Sequence, residues 1–136
     1  MAYTNPNLDL YRKTAVNSAS PLQLIIMLYD GAIKQLNAGK RAMLQSDVFE
    51  QNTCLVKAQK IIAELISCLD MKQGAEISQN LLALYSFCYN TLVESNIEDN
   101  VDGIDQVMVV LSNLKSGWVE LDKVTRVSTE LRHEAA

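Results

Sequence analysis

The sequence is poor in the residues that make turns and in those that carry catalysis. Two prolines and five glycines in 136 residues are too few for the many tight turns of an all-β fold. The only histidine is His133, close to the C-terminus, and it has no mid-helix counterpart that a histidine-phosphotransfer bundle would need. Motifs of the Gly-x-Gly-x-x-Gly, Gly-Lys-Ser/Thr and Gly-x-Ser-x-Gly types are missing. We therefore expect a binding protein that is not an enzyme and needs no cofactor or metal.

Cysteine pairs and long apolar runs are also missing. Cys54, Cys68 and Cys88 form no C-x-x-C motif, and their odd number argues against a disulfide framework. Reduced, buried thiols of a cytoplasmic protein fit this pattern better. The first twenty residues contain no targeting peptide, and no apolar run reaches the roughly 18–20 residues that span a bilayer. The sequence therefore predicts a cytoplasmic protein without membrane insertion.

Positive charge is scarce in the second half of the chain. The net charge is −4, which argues against nucleic acid as the main ligand. Residues 1–44 carry five basic and two acidic side chains, so the remainder carries −7. No lysine or arginine occurs between Lys72 and Lys115. Any ligand of that region therefore has few cations to pair with.

What the sequence does contain is a set of helix signals. Ser20 is a favoured N-cap, Pro21 suits the first helical position, and Gln23 can complete a capping box. Asp47 and Glu50 form a similar D-x-x-E box, Gln73-Gly74 breaks the chain, and Asn100 is a further cap. The predicted helices run from about Pro21 to Leu44, from the cap Asp47 to about Leu69, from about Ala75 to Ser95, and from the cap Asn100 onward.

Short connections between these helices favour antiparallel neighbours. The predicted fold is therefore an all-α, antiparallel up-down four-helix bundle with a short N-terminal arm or helix. We divide the chain into an arm at 1–19, the bundle at 20–122 and a frayed C-terminal tail at 123–136. The first helix has a single narrow polar strip, so it must be covered on two sides, by its own chain or by a partner.

Apolar periodicity predicts the core. Each of the last three helices has one main stripe. The stripes are Leu55, Ala58, Ile62, Leu65, Ile66 and Leu69; Ile77, Leu81, Leu84, Tyr85, Cys88 and Leu92; and Ile104, Val107, Leu111, Leu114, Trp118 and Leu121. Further apolar residues lie at stripe edges or beyond them and indicate a moderately apolar groove: Ile26, Ile33, Ile61, Phe87, Tyr89 and Val109.

Several segments, in order and spacing, resemble the FliS family of flagellin export chaperones. The resemblance covers about Tyr11 to Trp118. Its landmarks are Ser18-Ala19-Ser20-Pro21-Leu22-Gln23-Leu24-Ile25-Ile26-Met27-Leu28-Tyr29-Asp30-Gly31-Ala32, Lys57-Ala58-Gln59-Lys60-Ile61-Ile62, Ile77-Ser78-Gln79-Asn80-Leu81-Leu82-Ala83-Leu84-Tyr85, Glu94-Ser95-Asn96, and Leu111-Ser112-Asn113-Leu114 before Trp118.

The resemblance implies a cytoplasmic chaperone for the disordered C-terminal region of flagellin. Such a protein prevents premature polymerisation and assists delivery to the flagellar type III export gate. A bound flagellin segment would wrap around the bundle and place short helices in apolar grooves, and in the free protein the arm would cover part of that surface. Leu8 and Tyr11 match the arm positions that the family uses at the export gate receptor. We expect flagellin contacts at Ile61, Tyr85, Tyr89 and Met108.

The chain departs from the family pattern at two places. Asn90-Thr91 stands where many relatives have arginine, and Met108-Val109 stands where a Glu-Gly pair is common. An alternative interpretation is a homo-oligomeric structural or adaptor bundle without a secretion substrate, and a cysteine enzyme is a second one. Whether the chain forms a homodimer, and whether a co-chaperone binds the same surface, stay open at this point.

Overall fold

The computed structural model describes residues 20–135 and confirms the predicted helical bundle. Its four helices are α1 (Pro21–Leu44), α2 (Val48–Ser67), α3 (Ala75–Glu98) and α4 (Val101–Ala135), and the described residues contain no strand. α1 packs against α2 and α4, and α3 packs against the same two helices. The helices therefore form a ring in chain order, and α1 is covered on two sides by its own chain.

Local capping explains the helix starts. The Ser20–Gln23 capping box is present in both directions, with N–H donors 3.1 and 3.2 Å from their side-chain acceptors. At α2 only half of the expected box forms. Asp47 Oδ1 accepts from the Glu50 N–H at 3.1 Å, whereas the Glu50 carboxylate accepts from Cys54 Sγ at 3.2 Å. Asn100 Oδ1 accepts from the Asp102 N–H at 3.1 Å and starts α4.

The core contains large side chains from all four helices. Fully buried examples are Tyr29, Leu36, Leu55, Ile62, Tyr85, Leu92, Ile104 and Leu111. Burial of each apolar side chain of this size contributes roughly 1.5–3 kcal/mol. Two glycines allow close helix contacts: a Cβ on Gly39 would lie 2.7 Å from Leu55 Cδ2, and a Cβ on Gly103 would overlap Ser95 Oγ.

Several core predictions were wrong. Ile77, Leu84 and Leu121 are 66, 38 and 48% exposed although they lie on predicted core stripes. Ile77 is in the first turn of α3, at an end of the bundle where α2 has already finished. Cys68 is exposed, unlike Cys54 and Cys88, because it follows the last residue of α2.

The C-terminal segment continues the last helix. The structure continues α4 through residues 123–135, with exposed side chains as far as they are described. Lys123 pairs with Glu120 at 3.4 Å, and Arg126 pairs with Asp122 at 3.1 Å. Pairs at these spacings, and the lack of glycine or proline after Gly117, favour continued helix. In the described part of the chain, no helix is long and apolar enough to cross a bilayer.

Candidate binding surface

The first candidate surface follows the line where α1 meets α4. Ile26, Met27 and Ile33 of α1 are half-buried there and face Val119 of α4. Two adjoining cavities of about 510 and 490 Å³ share Val119 in their linings. We call this surface, from Gln23 and Arg126 at one end to Ile33 and Ser112 at the other, the α1–α4 seam. Because half-buried apolar side chains form its floor, it suits an amphipathic helix.

Ion pairs flank the seam and neutralise its charges. Lys115 Nζ lies 2.5 Å from Asp30 Oδ1, and Lys40 Nζ lies 2.7 Å from Asp105 Oδ1, so both pairs join α1 to α4. Their side chains are about one third to one half exposed, and exposed pairs of this kind contribute at most about 1 kcal/mol each. Since these cations already have partners, the seam offers a ligand mainly apolar contact.

A second, smaller groove lies at the end of the bundle where α2 finishes and α3 begins. It has a volume of about 220 Å³. We call it the end groove, and its apolar lining is Ile25, Leu65, Leu69, Ile77, Leu81 and Trp118. Ile77 leaves two thirds of its side chain accessible at the rim. The end groove therefore adds apolar surface near the N-terminus of α1.

Two tyrosines form a polar contact beneath these grooves. The hydroxyl groups of Tyr29 and Tyr85 are 2.5 Å apart, with ring centroids separated by 6.3 Å. Burial raises the pKa of both hydroxyls above 10.0, and the mutual hydrogen bond raises that of Tyr85 further. The neighbouring Trp118 Nε1–H is buried and has no hydrogen-bond partner among the described residues. Tyr29 and Tyr85 are therefore neutral structural groups across ordinary pH.

The four predicted flagellin contacts lie on different faces. Ile61 is only 8% exposed, because its Cδ1 faces α1 and lies 3.5 Å from the position that a Cβ added to Gly31 would take; Tyr85 is 2% exposed in the core. Tyr89 is half-buried. It lies seven residues before Asn96 and therefore on the same side of α3, and this side faces α2 because Asn96 bonds to Asn52 of α2.

Met108 is the one predicted contact that lies in line with the α1–α4 seam, beyond its Ser112 end. It is half-buried and follows Asp105 by three residues, so it lies on the α1-facing side of α4. The structure therefore brings Met108 into line with the seam but does not gather all four predicted residues on one surface.

Sequence reasoning identifies part of the seam and misses the rest. The stripe edges predict Ile26 and Ile33 as surface apolar residues, but not Met27 or Val119. The sequence feature that could have indicated Met27 is the dense apolar run in the first half of α1, which is wider than one core-facing stripe. Leu8 and Tyr11, the predicted export-gate contacts, lie outside the described residues.

The described side chains include no grouped metal ligands, and the thiol at the centre of the core keeps its proton. Among the side chains described, those of residues 20–132, no three His, Cys, Asp or Glu are grouped as a metal site requires. Burial raises the pKa of the Cys88 thiol to about 11, so at neutral pH it holds its proton and is a poor nucleophile. Apolar contact is the chemistry that these surfaces offer.

Comparisons with known proteins point to one family. A sequence model described as "Flagellar protein FliS" matches residues 3–125. The flagellar secretion chaperone FliS of Vibrio cholerae serotype O1 is 36% identical over 85% of this chain and 88% of its own length. The proteins of the same name from Salmonella typhimurium and Bacillus subtilis are 36 and 32% identical over 88 and 87% of this chain, and over 92 and 86% of their own lengths.

A solved structure shares the fold. It is titled "Crystal structure of flagellar chaperone from bacteria" and superposes with a TM-score of 0.72 over 87% of this chain and 98% of its own. Its sequence identity of 17% supports the fold alone.

Proposed function

This chain belongs to the FliS family of flagellar proteins, and on that premise we propose that it is a cytoplasmic flagellar secretion chaperone. Its substrate in this proposal is the disordered C-terminal region of flagellin, which it keeps from polymerising and helps to deliver to the flagellar type III export gate. The observation that carries the proposal is the family match over residues 3–125. The half-covered apolar surface of α1 supports it, because a helix-binding chaperone needs such a surface.

In this proposal, a flagellin helix lies in the α1–α4 seam and the rest of the segment wraps toward α2 and α3. Met108 and Tyr89 contact the bound segment directly. Ile61 and Tyr85 have little accessible surface, so they act from beneath by holding the neighbouring helices in place. Ordering a disordered tail costs several kcal/mol, so an extended apolar contact is needed, and release for export remains feasible.

The first test is calorimetry with a C-terminal flagellin fragment and the variants Met108→Asp and Tyr89→Asp. Each lost apolar contact is worth roughly 1.5–3 kcal/mol, so we expect at least about tenfold weaker binding. Val127→Asp is the matched control, because Val127 is an exposed apolar residue of α4 beyond the seam. Native affinity should change little with salt. Unchanged affinity in both folded contact variants, or a steep salt dependence, would contradict the proposed contacts.

The second test concerns the export gate. Replacing Leu8 and Tyr11 by Ala should weaken binding of the chaperone–flagellin complex to the gate receptor, while the complex itself still forms. Asn7→Ala is the control, since it changes a neighbouring polar residue. If the double variant binds the receptor as tightly as the control does, the gate contact lies elsewhere.

A further inference from the structure

One group of highly exposed apolar side chains lies far from both grooves. Phe49, Ile97, Val48 and Leu44 are 81, 76, 69 and 65% exposed; Ile77 at the end groove is 66% exposed, and Val124, Val109 and Leu131 of α4 are 61, 60 and 60% exposed. The first four lie at the end of the bundle that holds the α1–α2 turn at 45–47 and the α3–α4 turn at 99–100. We call this the turn end. It is opposite to the end groove, about 36 Å away along the 24 residues of α1.

Hydrogen bonds hold the two turns side by side. The Gln51 side chain is buried, and its Nε2 donates to Asp99 Oδ1 at 2.9 Å and to Asn96 Oδ1 at 3.1 Å. Asn96 Nδ2 donates in turn to Asn52 Oδ1 at 2.9 Å. Phe49 is three residues before Asn52, and Ile97 follows Asn96, so these exposed side chains border one hydrogen-bonded polar junction between α2 and α3.

The same end carries the negative charge of the molecule. Residues 40–52 and 94–105 contain seven acidic and two basic side chains, a local net charge of −5 against −4 for the whole chain. Of the two basic residues, Lys40 is paired with Asp105, and Arg41 is exposed on α1. Within residues 20–132, the carboxylates of Glu94, Glu98 and Asp102 form neither ion pairs nor hydrogen bonds.

Two of these carboxylates do not serve helix stability. Glu94 and Glu98 lie toward the C-terminus of α3, where the helix dipole disfavours negative charge, and the last turn of α3 has no basic residue. Their negative charges therefore destabilise the isolated helix and would attract a positively charged ligand.

We propose that the turn end is a second docking surface, and that its occupant is a basic amphipathic helix of a partner protein. Large apolar side chains of that helix would cover Phe49 and Ile97, and its Lys or Arg side chains would face Glu94, Glu98 and Asp102. Charge selects this occupant over the alternatives. A second copy of the chain would place one end of net charge −5 against another, and the two would repel. The arm at residues 1–19 has only Arg12 and Lys13 as basic residues, with Asp9 opposing them, so it offers little positive charge to this surface.

The experiment measures the binding of a fluorescent amphipathic peptide built only from Leu and Lys to the full chain by anisotropy. The double variant Phe49→Ser/Ile97→Ser should bind it at least about tenfold more weakly, since two apolar contacts are lost. Glu94→Gln/Glu98→Gln should bind it several-fold more weakly and show less salt dependence. Matched controls are Val124→Ser/Val127→Ser and Glu76→Gln/Glu130→Gln, which change exposed residues away from the turn end and should retain native affinity.

Three outcomes would overturn the proposal. One is an equal loss of affinity in the variants and their controls. Another is tighter peptide binding after deletion of residues 2–17, which would make the arm of this chain the occupant. The third is a concentration-dependent dimer that Phe49→Ser/Ile97→Ser abolishes. The flagellin fragment should bind the turn-end variants with native affinity, so failure of this proposal and failure of the chaperone proposal give different results.

Discussion

Gly103 shows how one residue sets the distance between two helices. It lies in the first turn of α4, where a Cβ would overlap Ser95 Oγ and lie 3.2 Å from Ser95 Cβ and 3.4 Å from Thr91 Cγ2. Ser95 is itself buried, so its side chain has little room to move away. Gly117 lies in the same helix and is exposed, and a Cβ added to it would have no atom of another residue within 4 Å beyond its own helical backbone.

The two glycines should therefore respond to alanine in opposite ways. Gly103→Ala should lower the free energy of unfolding by about 1–3 kcal/mol, because overpacking forces α3 and α4 apart. Gly117→Ala should raise it by roughly 0.5–1 kcal/mol, because alanine is the better helix former at an open site. Urea unfolding followed by far-UV circular dichroism measures both. Equal stabilisation by the two substitutions would show that α3 and α4 are not this close in solution.

At the scale of the helices, local signals are sufficient for starts and weaker for ends. The first helix is predicted from about Pro21 to Leu44 and has those bounds, and its start is marked by a local capping box. The third is predicted to end at about Ser95 and continues to Glu98. The residue that caps its end is Asp99, whose backbone is left-handed with a φ of 54°. Glycine usually takes this conformation, so the sequence gives no sign that an aspartate does so here.

Which helix faces meet is harder to predict than which faces are apolar. Ile61 is expected at a groove edge, yet it is 8% exposed, because its side chain packs against α1 near Gly31. Met108 stands out in the sequence as a departure from the family pattern, and the structure places it in line with the α1–α4 seam. Such outcomes depend on helix rotation, which is set by packing across all four helices rather than by any one stripe.

At the scale of the whole molecule, the centre of the bundle holds three ionisable groups that must stay neutral. Tyr29, Tyr85 and Cys88 are 0, 2 and 0% exposed, and their charged forms would lie among apolar side chains from all four helices. Burial therefore raises the pKa of each above its ordinary value, to about 11 for Cys88. The folded state keeps these protons at a pH where the unfolded chain has begun to lose them.

This arrangement predicts a stability that is lost in alkali. A raised pKa in the folded state means that the unfolded state binds fewer protons above about pH 9, so the free energy of unfolding falls as pH rises. The contribution of Cys88 is present below its ordinary pKa of 9.0 and declines as pH rises toward about 11. The two tyrosines contribute in the same direction above about pH 10, their ordinary value. Below about pH 8 the three groups are protonated in both the folded and the unfolded state, so they do not make the free energy of unfolding depend on pH.

Urea unfolding at about pH 8 and about pH 11 measures the effect. Cys88→Ala and the double variant Tyr29→Phe/Tyr85→Phe should each lose less stability between the two pH values than the native chain does, because each removes groups that titrate on unfolding. The double variant is preferred to either single one, since a lone buried hydroxyl without its partner costs about 1–3 kcal/mol by itself. Tyr89→Phe is the control, because Tyr89 is half-buried and outside the hydroxyl pair. A native chain equally stable at both pH values, or the same loss in every variant, would show that the centre of the bundle is open to water and that these groups titrate freely.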